Sequence, residues 1–245
     1  MAQYDTIRTA GGIRTAAIDE GLRAHMNKVY GTMSVGMLIT FAVARAVGTM
    51  PALLAVFRDP ATLQPNILGW VVMFAPLIMV FAFGAAINRL SAAGAQLFFY
   101  VFAAVMGLSL AWIFVAFTGF SIAQVFLITA IAFAGLSLWG YTTKRDISGW
   151  GAFLIMGVIG LIVASIVNIF LGSPAIMFAI SVIGVLIFAG LTAYDTQKIK
   201  TDYIAHAAHG DQEWLAKSAI MGALNLYLDF INLFMFLLQF LGNRE

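Results

Sequence analysis

The chain has 245 residues, of which 62% are hydrophobic and 10% charged, with a net charge of +2 and a mean hydropathy of +0.96. A soluble domain of this length carries about 25% charge, so the composition excludes one and indicates an all-α polytopic membrane protein. It contains no cysteine, which removes disulfides, thiolate nucleophiles and cysteine metal sites.

Residues 1–25 form an expected cytoplasmic N-terminal tail. Arg8, Arg14, Asp19, Glu20 and Arg23 interrupt any apolar core there, so no cleavable signal peptide is expected. Residues 1–12 read as disordered, and 13–27 as a short amphipathic helix on the membrane surface. Residues 26–245 read as a single transmembrane domain. Its membrane-length apolar windows fall at about 29–49, 67–87, 95–117, 121–141, 151–171, 174–196 and 219–241, seven in all. The links Thr118–Phe120 and Gly172–Ser173 are short, so spans three and four form a hairpin, as do five and six. The longest links are 50–66, where the run Ala52–Phe57 suits the interface, and 197–218.

Ten of the thirteen Lys and Arg residues fall on one side of this layout. They are Arg8, Arg14, Arg23, Lys28, Arg89, Lys144, Arg145, Lys198, Lys200 and Lys217; the other side has Arg45, Arg58 and Arg244. The positive-inside rule then places the N-terminus in the cytoplasm and the C-terminus outside, as an odd number of spans requires. Absence of cysteine and compact length fit a bacterial inner membrane protein.

The seventh window is unusual. Ser218, Gly222, Asn225, Asp229, Asn232, Phe236 and Gln239 recur at steps of four and three, which puts them on one helical stripe. The helix is apolar elsewhere. A carboxylic acid at mid-bilayer costs about 2.5–3.5 kcal/mol on insertion scales, so Asp229 should face protein or a watery path and should have a partner.

The other acid within reach of the membrane is Asp195, at the cytoplasmic end of span six. By residue count Asp229 lies about ten residues deep from the same side, roughly 15 Å of helix rise. Tilt, or a span six that continues to Lys200, would bring the two together. Two carboxylates in a low-dielectric site cannot both ionise cheaply, so such a pair shares a proton. Doubly ionised, it offers the hard oxygen ligands that suit Ca²⁺. The alternative for Asp195 is an interfacial acid paired with a lysine.

The segments Gly190-Leu-Thr-Ala-Tyr-Asp195-Thr-Gln-Lys-Ile and Leu226-Tyr-Leu-Asp229-Phe-Ile-Asn-Leu-Phe resemble the two signatures of the Bax inhibitor-1 family. The similarity in hydropathy profile extends over about residues 20–243. The resemblance implies seven helices with the last surrounded by the other six. It also implies a pH-sensitive Ca²⁺ leak whose sensor is the aspartate pair, here Asp195 and Asp229. An arginine of the second helix joins that pair in family members, and Arg89 stands nearest that position. A topology anchor is an equal reading of Arg89.

Other constellations carry less. His206, His209, Asp211 and Glu213 share the 197–218 link; a metal or pH site there competes with a solvated loop, the simpler reading. His25 stands alone near the surface. No P-loop, dinucleotide fingerprint or HExxH is present, and no enzymatic activity, cofactor or nucleic-acid partner is expected. Tyr194-Asp195 and a second aspartate resemble the centre of intramembrane aspartyl proteases, but Tyr227-Leu-Asp229 lacks the Gly-x-Gly-Asp of that class. A third reading is a regulatory protein that binds a membrane protease or another membrane partner. The expected ligands are the bilayer, Ca²⁺ and protons.

Overall fold

A computed structural model describes residues 2–207 and 211–243, with side chains from residue 18 onward. Among the described residues all regular structure is helical: α1 Ala2–Thr49, α2 Pro51–Phe57, α3 Ile67–Ala86, α4 Ala92–Leu110, α5 Ile113–Ala116, α6 Gly119–Thr142, α7 Trp150–Leu171, α8 Pro174–Ala207 and α9 Gln212–Leu241. Seven stretches are long and apolar enough to cross a membrane, with α4 and α5 counted as one. The chain is therefore a multi-pass membrane protein.

Helix ends follow local chemistry. Side-chain oxygens of Asn66, Ser91, Thr118 and Asp211 accept from the backbone N–H three residues on and so start α3, α4, α6 and α9. Gly172, at φ 59°, ends α7 in the left-handed conformation that glycine adopts without a Cβ penalty. Pro51 opens α2, which occupies the run expected at the interface.

The bundle is layered around α9. In its most apolar stretch 61% of residues are buried, against 11% in α3 and 17% in α7. Helices α1, α4, α6 and α8 pack directly on α9, while α3 lies outside on α4 and α7 outside on α8. The last helix is thus central, with the outer pair completing the ring behind their neighbours.

Two expectations, about residues 13–27 and the 197–218 link, need correction. Helix α1 runs unbroken across residues 25 and 26, so no separate surface helix precedes the first span. Leu22, His25, Met26 and Val29 are buried at helical spacing and dock into the bundle. Their apolar stripe was legible as amphipathic, but it faces protein instead of headgroups. The 197–218 link is also mostly helix. Helix α8 continues to Ala207 and α9 starts at Gln212, which leaves four residues between them. Lys198, Lys200 and Asp202 lower the hydropathy without breaking the helix, because helix propensity does not end where the bilayer does.

Candidate functional site

Helices α8 and α9 run antiparallel, and the polar stripe of α9 faces α8. A Cβ on Gly222 would lie 3.0 Å from the Ile199 side chain, and one on Gly184 would overlap the ring of Phe236. Phe236 stacks on Phe188 at 5.8 Å, and Ser181 Oγ donates to Gln239 Oε1 at 3.3 Å. These contacts set the register, in which Asp229 lies about one turn beyond the level of Asp195.

That offset brings the acids together. Each Cα–Cβ bond in a helix tilts toward its own N-terminus. In this antiparallel pair the Asp195 side chain leans away from the α8–α9 link and the Asp229 side chain leans toward it. The two carboxyl groups face each other across the seam, near enough to interact directly. Two carboxyl groups placed this way can hydrogen-bond to each other only when one bears a proton. Asp229 is 4% exposed, and its Oδ2 has no hydrogen-bond partner among the described residues. Asp195 is half-buried. Lys198, one turn on, acts on Asp195 electrostatically but makes no ion pair with it; the one ion pair among the described residues is Lys217 with Glu213, at 3.1 Å.

The other expected site residues are not at the pair. Asn225 and Asn232 are half-buried, and Asn232 Nδ2 donates to the Leu228 carbonyl of its own helix at 2.8 Å. Arg89 is exposed in the turn after α3 and makes no ion pair among the described residues. Helix α3 lies outside α4, which separates it from the α8–α9 seam.

The histidines also differ from expectation. His25 is buried, with its ring 4.8 Å from that of Tyr203 on α8. A Cβ on Gly21 would overlap the Tyr203 hydroxyl, so glycine lets α8 approach α1 there. His206 lies on the last turn of α8, and its ring stacks on Trp214 at 4.0 Å. Asp211 caps α9 and Glu213 pairs with Lys217, so both have local structural roles. His209 lies outside the described residues. Among those described, no group of three His, Cys, Asp or Glu could hold a metal.

Sequence reasoning missed two buried hydroxyl clusters. Tyr30 on α1 meets Ser137 of α6 at 2.5 Å, Ser137 meets Thr196 of α8 at 2.9 Å, and Thr196 donates to the Thr192 carbonyl at 2.7 Å. On the other side of α9, the Tyr227 hydroxyl meets Thr40 Oγ1 at 2.6 Å, between the rings of Phe99 and Phe102. Hydroxyls are common in membrane helices, and only the packing shows which of them meet.

The chain matches a family model described as Inhibitor of apoptosis-promoting Bax1 over residues 22–245. It is 47% identical over 233 residues to an uncharacterized protein of Caulobacter vibrioides, which covers 94% of this chain and 92% of that one. It is 44% identical over 225 residues to the inner membrane protein YbhL of Escherichia coli K12, which covers 92% of this chain and 94% of that protein. A Rickettsia prowazekii protein, RP147, is 42% identical over 233 residues, or 95% and 94% of the two chains. With the seven spans, the central last helix and matches of this length, the chain belongs to the Bax inhibitor-1 family of membrane proteins.

Proposed function

We propose that this protein is a pH-sensitive Ca²⁺ leak of a bacterial inner membrane, with its N-terminus in the cytoplasm and Asp195 and Asp229 as the proton sensor. The observation that carries the reading is the convergence of two buried or half-buried carboxyl groups between α8 and the central helix. The shared proton ties the two helices together. When it leaves, two carboxylates in poor solvent repel, and a cation can take the proton's place. Linkage makes the effect reciprocal: Ca²⁺ favours loss of the proton, and acid weakens Ca²⁺ binding.

Coordination chemistry supports transit over storage. Ca²⁺ takes 6–8 oxygen ligands, and conduction needs a site weak enough to release its ion. Two carboxylates with a free Asp229 Oδ2 offer charge without a full cage. The same burial disfavours proteolysis, because a peptide bond would have to reach an Asp229 that is 4% exposed. Arg89 is outside this mechanism, and the reading assigns it to topology.

The test is Ca²⁺ flux into liposomes that contain purified protein. Flux should rise with pH in the parent protein, and Asp195→Asn or Asp229→Asn should shift or flatten that dependence. The double substitution should add little beyond either single one, because coupled groups act as a unit. An unchanged pH profile in both folded single variants would remove the sensor. No unaided Ca²⁺ passage by the parent protein would instead favour the regulatory role.

A further inference from the structure

A long groove lies on the other side of α9 from the acid pair, between α1 and α6, with Phe230, Ile231 and Phe234 of α9 as its floor. It extends along α1 from Arg23 to Thr49, about 39 Å at 1.5 Å per residue, which is the depth of a bilayer. Its volume is about 1300 Å³, above the roughly 300–1,000 Å³ of sites for drug-sized ligands. Leu38, Phe41 and Leu138 on its rims are exposed, so the groove opens sideways into the hydrocarbon.

The walls are graded in polarity. Midway they are aromatic, where Phe126 and Phe133 of α6 meet Phe230 at 5.4 Å. At the cytoplasmic end they carry Arg23, Asn27, Tyr30 and Tyr141. Arg23 is exposed and has no ion pair among the described residues. Lys200 adds a second cation there: its Nζ stands 5.3 Å above the Tyr141 ring and donates to the Tyr141 carbonyl at 2.7 Å. This end therefore presents the Arg23 charge and several neutral donors above an apolar trough, with Lys200 beside Tyr141 just outside the lining.

We propose that the groove between α1 and α6 is a binding site for one anionic phospholipid, with its phosphate at Arg23 and its acyl chains along Phe126, Phe133 and Phe230. Basic pockets between membrane helices on the cytoplasmic side select anionic headgroups. Here Arg23 gives that selectivity, with Lys200 adding positive potential from beside Tyr141, and the aromatic trough gives a fixed path for the chains. The bound lipid would fill the gap between α1 and α6 and cover Leu38, Phe41, Phe126 and Leu138, which are exposed along it. It would also seal the outer end of the Tyr30–Ser137–Thr196 hydroxyl cluster. The site is independent of Ca²⁺ transport; only the assignment to the cytoplasmic leaflet rests on the orientation proposed above.

The probe is phosphatidylglycerol with a photoreactive group on one acyl chain, in vesicles of phosphatidylcholine that contain the full-length protein. Crosslinks should concentrate on peptides bearing Phe126, Phe133 and Phe230. Ala134→Trp and Ser34→Trp, at exposed positions on the two walls, should each cut that labelling several-fold while labelling of α3 and α7 persists. In native mass spectrometry Arg23→Ala should weaken phosphatidylglycerol retention about tenfold, the worth of one charge-assisted bond, with phosphatidylcholine unaffected. Arg45→Ala, at the opposite end, should change nothing. Equal labelling of every lipid-facing helix would mean a general lipid annulus and overturn the site. Protein–protein crosslinks through the groove would make it a contact between copies and overturn it as well. Retention that depends on Arg45 and not on Arg23 would refute the headgroup assignment.

Discussion

The bond between Thr40 and Tyr227 allows a test in which two conservative changes should have unequal costs. Tyr227 is 0% exposed and Thr40 is 4% exposed, so neither hydroxyl can turn to water. Thr40 Oγ1 lies 2.6 Å from the Tyr227 hydroxyl, 2.8 Å from the Ala103 carbonyl and 3.0 Å from the Gly36 carbonyl. Tyr227→Phe keeps the ring packing and leaves Thr40 two carbonyls to donate to. It removes one bond and orphans no donor, which costs about 0.5–1 kcal/mol; interhelical bonds in a membrane protein average about 0.6. Thr40→Val is different. It leaves the Tyr227 hydroxyl buried with no partner, and an unsatisfied buried donor costs about 1–3 kcal/mol. The double variant has no orphan and should lose little more than Tyr227→Phe, so the coupling energy should be about 1 kcal/mol. Unfolding by SDS in mixed micelles, followed by circular dichroism, would measure all four proteins. A Tyr227→Phe cost equal to that of Thr40→Val, or single costs that simply add, would refute the reasoning.

Other outcomes follow from the same contacts. A Cβ on Gly140 would lie 2.3 Å from the Ala193 carbonyl oxygen, a backbone atom that cannot swing away. Gly140→Leu should therefore separate α6 from α8 and lower the unfolding midpoint by several degrees, whereas Gly135→Leu, which meets nothing, should leave it unchanged. A reporter fused after Glu245 should behave as extracytoplasmic; a cytoplasmic signal would contradict seven spans with the N-terminus inside. Asp146 accepts the Ser148 N–H at 2.9 Å, which holds its carboxyl below its usual 3.8. The depressed value means that its small contribution to stability is present above that usual value and fades as pH falls through the lowered one. The difference in unfolding midpoint between the parent protein and Asp146→Ala should accordingly vanish in acid; a difference that grows below pH 3.8 would show the opposite sign.

Much of the architecture is a one-dimensional property of the chain. Seven apolar windows define seven spans because the bilayer fixes their length and each span satisfies its own backbone. The stripe from Ser218 to Gln239 was equally legible, since helical period alone puts those residues on one face. Asp195 and Asp229 stand out as acids in apolar surroundings, with family signatures around them.

Partners are another matter. The stripe faces α8 because Gly222 and Gly184 admit Ile199 and Phe236, a fit between two surfaces that neither sequence segment contains alone. The acids meet because antiparallel packing turns a one-turn offset into convergence of their side chains. Arg89 was placed near them by linear position, but the stacking of α3 behind α4 keeps it away. His25 looked peripheral because charged neighbours surround it in sequence; only the approach of Tyr203 past Gly21 buries it. Residues 197–207 read as a loop because hydropathy marks where the membrane ends, and the α8 backbone hydrogen bonds continue past that point. Composition and period thus determined the spans and their faces, whereas close packing between distant segments decided which faces meet.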